Sequence, residues 1–184
     1  MDPLVLPLVI VLVVLGFFLY FFLGSFTYGA GFEPTPRGTV RSMLELAEVG
    51  PSDVLVDLGA GTGAVVFRAA RERGAHAVAI EREPLRFLIL CVRRRFSAQR
   101  ARISVLRQDL FEADLAHATV VALFLWPSTM ARLRLHLEAR LAVGARVVSH
   151  CHPIPGWVPD REDRVRGVFL YRVPPGRGPT AGGR

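Results

Sequence analysis

The 184-residue chain contains no lysine and no asparagine, so all 23 of its basic side chains are arginines. The net charge of +7 favours contact with anionic membrane surfaces or with nucleic acid, and it does not choose between them. An arginine-only composition can equally arise from genomic base composition, so charge alone assigns no partner.

Cysteine is scarce, which excludes two further classes of protein. Cys91 and Cys151 lie far apart and form no Cys-x-x-Cys pair. A disulfide framework and a structural zinc site are therefore not expected. The chain also has no internal repeat, and the roughly 150 residues after the N-terminal segment suffice for one domain with a buried core.

The N-terminal segment is an uncharged run of 20 residues from Leu4 to Leu23. Such a helix spans about 30 Å, the thickness of a bilayer core. A cleaved signal peptide would begin with basic residues, and a buried core helix would be less uniformly apolar. We predict a transmembrane anchor over residues 1–24, then a linker or ordered arm over 25–38. Because Arg37 and Arg41 follow the run, the positive-inside rule puts the C-terminal domain in the cytoplasm.

Apolar strands alternate with helical patterns over residues 39–173, and the Pro/Gly-rich residues 174–184 read as a disordered tail. This alternation predicts an α/β fold, a Rossmann-like, doubly wound, mostly parallel sheet. The expected strands are Val54 to Asp57, Ala77 to Glu81, Ile103 to Leu106, Val120 to Leu125, Ala145 to Ser149 and Val168 to Val173. The expected helices are Thr39 to Val49, a helix from the glycine turn through Arg73, Pro84 to about Ser97, and one capped by Ser128.

A glycine-rich turn, Asp57 to Ala64, joins the first strand to the following helix. Gly59, Gly61 and Gly63 would allow a sharp turn and a close approach to a ligand. The helix N-terminus would offer N–H groups to a carboxylate. The turn alone also fits the relaxed dinucleotide fingerprint, so it does not identify the ligand by itself.

Acidic residues at the ends of three successive strands distinguish between the possible ligands. Asp57 suits a cationic or hydroxyl-rich ligand better than a phosphate. Glu81 can accept hydrogen bonds from both hydroxyls of a ribose, as the corresponding acid of dinucleotide folds does. Asp109 can accept one from an adenine amino group. Together the three favour S-adenosylmethionine (SAM), and hence methyl transfer, over a dinucleotide.

At these residues the chain resembles a class I SAM-dependent methyltransferase. More narrowly, it resembles the membrane-anchored protein-lysine methyltransferases related to those that modify ATP synthase c-subunit and the adenine nucleotide translocator. The narrower resemblance rests on the apolar N-terminal run and three further segments: Glu33-Pro34-Thr35-Pro36, Phe124-Leu125-Trp126-Pro127, and Val148-Ser149-His150 with the following Pro153-Ile154-Pro155-Gly156-Trp157. It implies SAM as cofactor, a protein substrate and a Thr35 that closes over the cofactor.

Three residues are candidates for the catalytic site. Trp126 and Pro127 could wall an apolar pocket that keeps a lysine amine neutral, and the Trp face would attract the amine and the sulfonium. His150 could relay a proton. His150, Cys151 and His152 alternate across a strand, so we predict no metal site.

The leading hypothesis is a single-pass, membrane-anchored methyltransferase that acts on a lysine of a membrane protein. Its alternatives are methylation of a small molecule, a lipid or RNA, and a non-catalytic nucleotide-binding membrane module. Arg93-Arg94-Arg95 could contact RNA phosphates, but no stacking platform accompanies them, so a nucleic acid substrate is not favoured.

Overall fold

The structure is a computed structural model that describes residues 5–12, 14–16 and 33–173. The chain divides into two compact units, Met1–Glu33 and Pro34–Arg184. In the first unit, residues 5–12 and 14–16 are helical. None of the helices in the described ranges has both the length and the apolar character needed to cross a bilayer. The anchor predicted over residues 1–24 lies partly outside the described residues, and the tail predicted over 174–184 lies wholly outside them.

The second unit is built on a sheet of seven strands within the described residues. They are β1 (Val54–Leu58), β2 (His76–Ile80), β3 (Ile103–Leu106), β4 (Val120–Leu123), β5 (Arg146–His150), β6 (Arg161–Asp163) and β7 (Val168–Arg172). Their order is β3-β2-β1-β4-β5-β7-β6. β1 to β5 are parallel, β7 runs antiparallel to β5, and β6 pairs antiparallel with β7. The prediction of a Rossmann-like, mostly parallel sheet is confirmed.

Four α-helices of the second unit pack around this sheet. They are α1 (Arg37–Leu46), α2 (Ala64–Arg68), α3 (Pro84–Arg95) and α4 (Pro127–Arg140), and a π-helical turn, Ala69–Arg73, continues α2. That helical stretch ends at Gly74 in the left-handed region, as expected.

The predicted cap of α4 was wrong. Trp126, not Ser128, is its N-cap residue, and no side chain caps the helix. Pro127 occupies the first turn, where its missing N–H costs no hydrogen bond, so the helix begins before Ser128.

Alternate residues of β1 pack into two different hydrophobic cores, one on each face of the sheet. Helices cover both faces. Leu55 packs with residues of α1, α2 and α3, on what we call the α1–α3 face. Val56 and Leu58 pack with residues of α4 on the opposite face. The two-residue period of a strand therefore puts Asp57 on the α1–α3 face.

A buried polar network closes the amino end of the sheet. The Asp53 carboxylate accepts hydrogen bonds from the Gly50 N–H at 2.8 Å and the Thr119 hydroxyl at 2.7 Å, and it forms an ion pair with Arg146. Arg146 also donates to the backbone carbonyl of Ala47 at 2.6 Å. The network ties the start of β1 to β5 and to the end of α1.

Candidate functional site

The candidate site lies at the carboxyl ends of the strands, where the direction of winding reverses. β1 pairs with β2 on one side and with β4 on the other, so the crevice of a doubly wound sheet opens beside β1. Asp57 is the fourth residue of β1 and lies opposite Ala79 of β2. Glu81 directly follows β2, two residues after Ala79, and therefore shares the α1–α3 face with Asp57. Two carboxylates thus meet at one edge, as the sequence predicted.

The glycine loop is held against the end of β2 by its backbone. The N–H groups of Gly59 and Ala60 both donate to the Ile80 carbonyl at 2.9 Å. The Gly61 N–H donates to Glu81 Oε2 at 2.8 Å, and the Glu83 N–H donates to Oε1 at 2.9 Å. Each Glu81 oxygen keeps a second acceptor position, which suits a pair of ribose hydroxyls.

Gly63 has a structural role that the sequence did not indicate. It caps α2 with φ of +85°, a conformation that other residues rarely adopt. A Cβ atom there would approach Leu90 Cδ2 and the Phe67 ring to 2.7 Å. The third glycine of the motif is therefore required for packing α2 against α3.

Asp57 places a buried carboxyl group in the site. Its side chain is buried, and among the described residues no hydrogen bond and no cation reaches its carboxylate. Burial, and to a lesser extent the negative charge of Glu81, raise the pKa of the Asp57 carboxyl to about 7. A buried carboxylate without a partner is costly to a fold, so this group is suited to a cationic ligand.

Asp109 lies at the end of β3 but is already engaged. Its Oδ1 accepts a hydrogen bond from the Phe111 N–H at 3.0 Å, and its Oδ2 forms a 2.9 Å ion pair with Arg82. Each oxygen retains a free acceptor position for an adenine amino group. Arg82 was missed by the sequence analysis, although its place next to Glu81 put it at the same strand end.

Thr35, the residue expected to close over the cofactor, lies two residues before the start of α1. It lines a cavity of about 370 Å³, which we call the arginine cavity. Ala64, the residue after the glycine loop, lines the same cavity. The remaining lining residues are Arg37, Val40, Phe67, Arg68, Arg71 and Arg93.

The three predicted catalytic residues lie at the ends of β4 and β5. Trp126 is 58% exposed, which excludes ordinary core packing, and Pro127 next to it is also exposed. The His150 ring lies 4.4 Å from the Phe124 ring, centroid to centroid, and its Nδ1 lies 3.4 Å from the Gly167 carbonyl. β4 adjoins β1, and β5 adjoins β4, so these residues follow the same edge of the sheet as the carboxylate pair.

No cluster of metal ligands occurs in the described part of the chain.

The comparisons with known proteins identify the family. The family model of the ANTKMT methyltransferase domain matches residues 57–161, which is more than half of the chain. The chain belongs to the ANTKMT methyltransferase family. The matched region begins at Asp57 and contains Glu81, Asp109, Trp126 and His150.

Curated relatives agree with this assignment. The chain is 37% identical over 151 residues to the protein-lysine N-methyltransferase of Saccharolobus islandicus. This alignment covers 77% of the chain and 92% of that protein. It is 34% identical to the adenine nucleotide translocase lysine N-methyltransferase of mouse and 35% identical to the mouse lysine N-methyltransferase of the ATP synthase c-subunit. These alignments cover 77% and 71% of the chain. They span only 62% and 52% of the mouse proteins.

A solved structure identifies the cofactor. A crystal structure described as an RNA methyltransferase from Salinibacter ruber, in complex with S-adenosyl-L-homocysteine, superposes with a TM-score of 0.75 at 40% identity. The superposition covers 78% of this chain and 95% of the Salinibacter chain. S-adenosyl-L-homocysteine is what remains of SAM after methyl transfer. This member of the ANTKMT methyltransferase family is therefore a SAM-dependent enzyme.

The residues at the sheet edge fit SAM. The partnerless Asp57 carboxylate would face the cationic methionine end of SAM, and Glu81 would hold the ribose. Asp109 would accept from the adenine amino group. Bound SAM would supply an electrophilic methyl group at this edge.

Proposed function

We propose that this protein transfers a methyl group from SAM to a lysine side chain of a protein in or at a membrane. The observation that carries the proposal is the 37% identity to a protein-lysine N-methyltransferase, 92% of which is aligned. The exposed Trp126 supports it, because an aromatic face attracts a cationic amine and shields its stem from water.

In the proposed reaction the neutral lysine nitrogen attacks the methyl carbon in line with the sulfur. A nitrogen–carbon bond forms, the sulfur–carbon bond breaks, and the electron pair of that bond stays on sulfur as a thioether. The product amine sheds its extra proton to solvent or to a base. The chain's task is to orient the amine and to exclude water. Trp126 and Pro127 would form the wall that favours the uncharged amine, and His150 would accept the released proton.

We further propose that the apolar run from Leu4 to Leu23 anchors the enzyme in a membrane, with the catalytic domain on the cytoplasmic side. The support is sequence-based: a 20-residue uncharged stretch followed by arginines. Anchoring would confine the search for a membrane-bound substrate to a surface and raise its effective concentration.

RNA is the second candidate acceptor, because the Salinibacter structure at 40% identity is described as an RNA methyltransferase. One experiment separates the two. Full-length protein is incubated with SAM labelled in the methyl group and with membranes, and the product is treated with protease, ribonuclease or organic solvent. Label that only protease releases supports the proposal, and label that ribonuclease releases or solvent extracts overturns it. The absence of lysine from the chain removes lysine automethylation as a background.

A further inference from the structure

The arginine cavity offers chemistry that methyl transfer does not use. Four of its eight lining residues are arginines, Arg37, Arg68, Arg71 and Arg93, and none of the eight is acidic. The guanidinium group presents several N–H donors in one plane and matches the oxygens of a phosphate. The cavity is therefore suited to a phosphate group.

The charge around this cavity is poorly balanced. Glu72 is the acidic partner of two of the arginines, at 3.1 Å from Arg68 Nε and 2.9 Å from Arg71 Nη2. Arg93 donates to the Thr62 carbonyl, and its guanidinium lies 4.4 Å from the centre of the Phe67 ring. Within the described residues the Arg37 side chain has no ion pair. Desolvation lowers the pKa of Arg93, which indicates a cation held partly out of water.

An exposed apolar surface adjoins the cavity on α3. Leu88, Val92 and Phe96 follow one another at intervals of four residues and so lie on one side of the helix; we call them the apolar stripe. Phe96 is 82% exposed, and α3 ends in Arg93, Arg94 and Arg95. Arg93 lines the cavity and lies one helical turn before Phe96, so the cavity and the stripe adjoin at this end of α3.

Apolar side chains beside clustered arginines are typical of surfaces that dock on anionic membranes. Aliphatic side chains gain from entering the headgroup region of a bilayer, whereas an RNA backbone would leave Leu88 and Val92 in water.

We infer that the arginine cavity binds the phosphate of an anionic phospholipid while the apolar stripe enters the headgroup region. This docks the catalytic domain on the membrane. The inference rests on the membrane location proposed above, and the experiment below tests the two separately.

The experiment follows a fluorophore placed in the apolar stripe of the full chain. The probe is attached at Phe96→Cys in a chain that also carries Cys91→Ser and Cys151→Ser. The protein is mixed with phosphatidylcholine vesicles, with or without phosphatidylserine, and probe emission and access to a water-soluble quencher are recorded. Flotation with phosphatidylcholine alone tests the proposed anchor. If the probe is shielded from the quencher only when phosphatidylserine is present, the docking inference is supported, whether or not the anchor inserts.

Two variants test the arginines. Arg68→Gln with Arg71→Gln removes two cavity charges and should reduce the shielding by about tenfold or more, because each arginine at an anionic surface contributes about 1 kcal/mol. Arg140→Gln with Arg164→Gln removes the same charge from exposed sites outside the cavity and should retain the shielding. SAM binding by both double variants confirms that they are folded.

Four results would overturn the inference. The first is a probe unaffected by phosphatidylserine, and the second is full shielding in the Arg68→Gln, Arg71→Gln protein. The third is shielding by an RNA oligonucleotide where phosphatidylserine vesicles give none. The fourth is loss of the lipid effect when inorganic phosphate is added at equal phosphate concentration, which would show that the cavity binds free phosphate rather than a headgroup.

Discussion

Asp53, just before β1, and Asp57, within β1, are equally buried but differ in their polar contacts. Each residue is 6% exposed. Asp53, at the amino end of β1, is satisfied by Gly50, Thr119 and Arg146. Asp57, near the carboxyl end, has neither a hydrogen bond nor a cation among the described residues. The first carboxylate stabilises the fold, and we propose that the second binds a ligand.

The difference shows how the fold separates stability from chemistry. A buried charge is tolerated where it is paired, and it is costly where it is not. At the amino end of the sheet that pairing is complete. At the carboxyl end the neighbouring Glu81 is itself an acid, so the pair of carboxylates is complementary to a cationic ligand.

The largest effect is expected from removing the paired aspartate. Asp53→Ala leaves Arg146 without its carboxylate and Thr119 without its acceptor. Breaking such a buried pair should lower the free energy of unfolding by about 3–5 kcal/mol, measured by urea denaturation. The SAM affinity of the protein that remains folded should be nearly unchanged. A stability loss below about 1 kcal/mol would show that the two aspartates do not differ in the way we describe.

A smaller effect is expected from a pair of glycines, one at each end of the sheet. Gly63→Ala places a Cβ atom 2.7 Å from Leu90 and Phe67 in addition to straining a positive φ. Gly144→Ala, in the loop before β5, strains a similar φ of +84° but meets nothing within 4 Å. The first should lower the free energy of unfolding by about 1–3 kcal/mol more than the second. Equal losses would remove the packing role we assign to Gly63.

The pH dependence of SAM binding comes next. The pKa of Asp57 is about 7, and its charged form is the one that attracts a cation. SAM affinity should therefore rise about tenfold between pH 6 and pH 8, measured by calorimetry. Because this pKa is raised in the folded state, the stability it contributes at low pH is lost as the pH rises through 7. The ligand-free protein should thus become less stable over the same range. An Asp57→Asn protein should show neither change, and a pH-dependent affinity in that variant would assign the titration to another group.

The smallest effect is expected at Asp109. Asp109→Asn keeps an oxygen that can accept from the Phe111 N–H and from adenine, and it loses the ion pair with Arg82. That pair is largely exposed, so its loss should cost less than about 1 kcal/mol of stability. SAM binding should weaken about threefold, since a neutral acceptor replaces a charged one. A loss comparable to that of Asp57→Asn would place the ligand's positive charge nearer to Asp109 than we propose.

The sequence predicted the sheet and the edge that carries the site because both depend on short-range patterns. Fully apolar runs such as Val120 to Leu123 indicate buried parallel strands. Acids that directly follow such runs must lie at one edge. The position of Asp57 next to Glu81 follows from strand register alone.

Contacts between distant segments could not be predicted in this way. Arg146 pairs with Asp53 across 93 residues, and the arginine cavity gathers side chains from α1, α2 and α3. No local pattern specifies such contacts. Nor does Ser128 reveal that Pro127 begins its helix earlier, since both residues favour a helix start.

The most direct test of the account is Asp57→Asn, with two quantities measured on the same protein at pH 8. We predict that the dissociation constant for SAM rises at least about tenfold, because a charge-assisted contact contributes roughly 1.5–3 kcal/mol. We predict at the same time that the free energy of unfolding of the ligand-free protein does not fall, because the replaced carboxylate has no partner in residues 33–173. Unchanged SAM binding together with a loss of stability like that of Asp53→Ala would contradict the account.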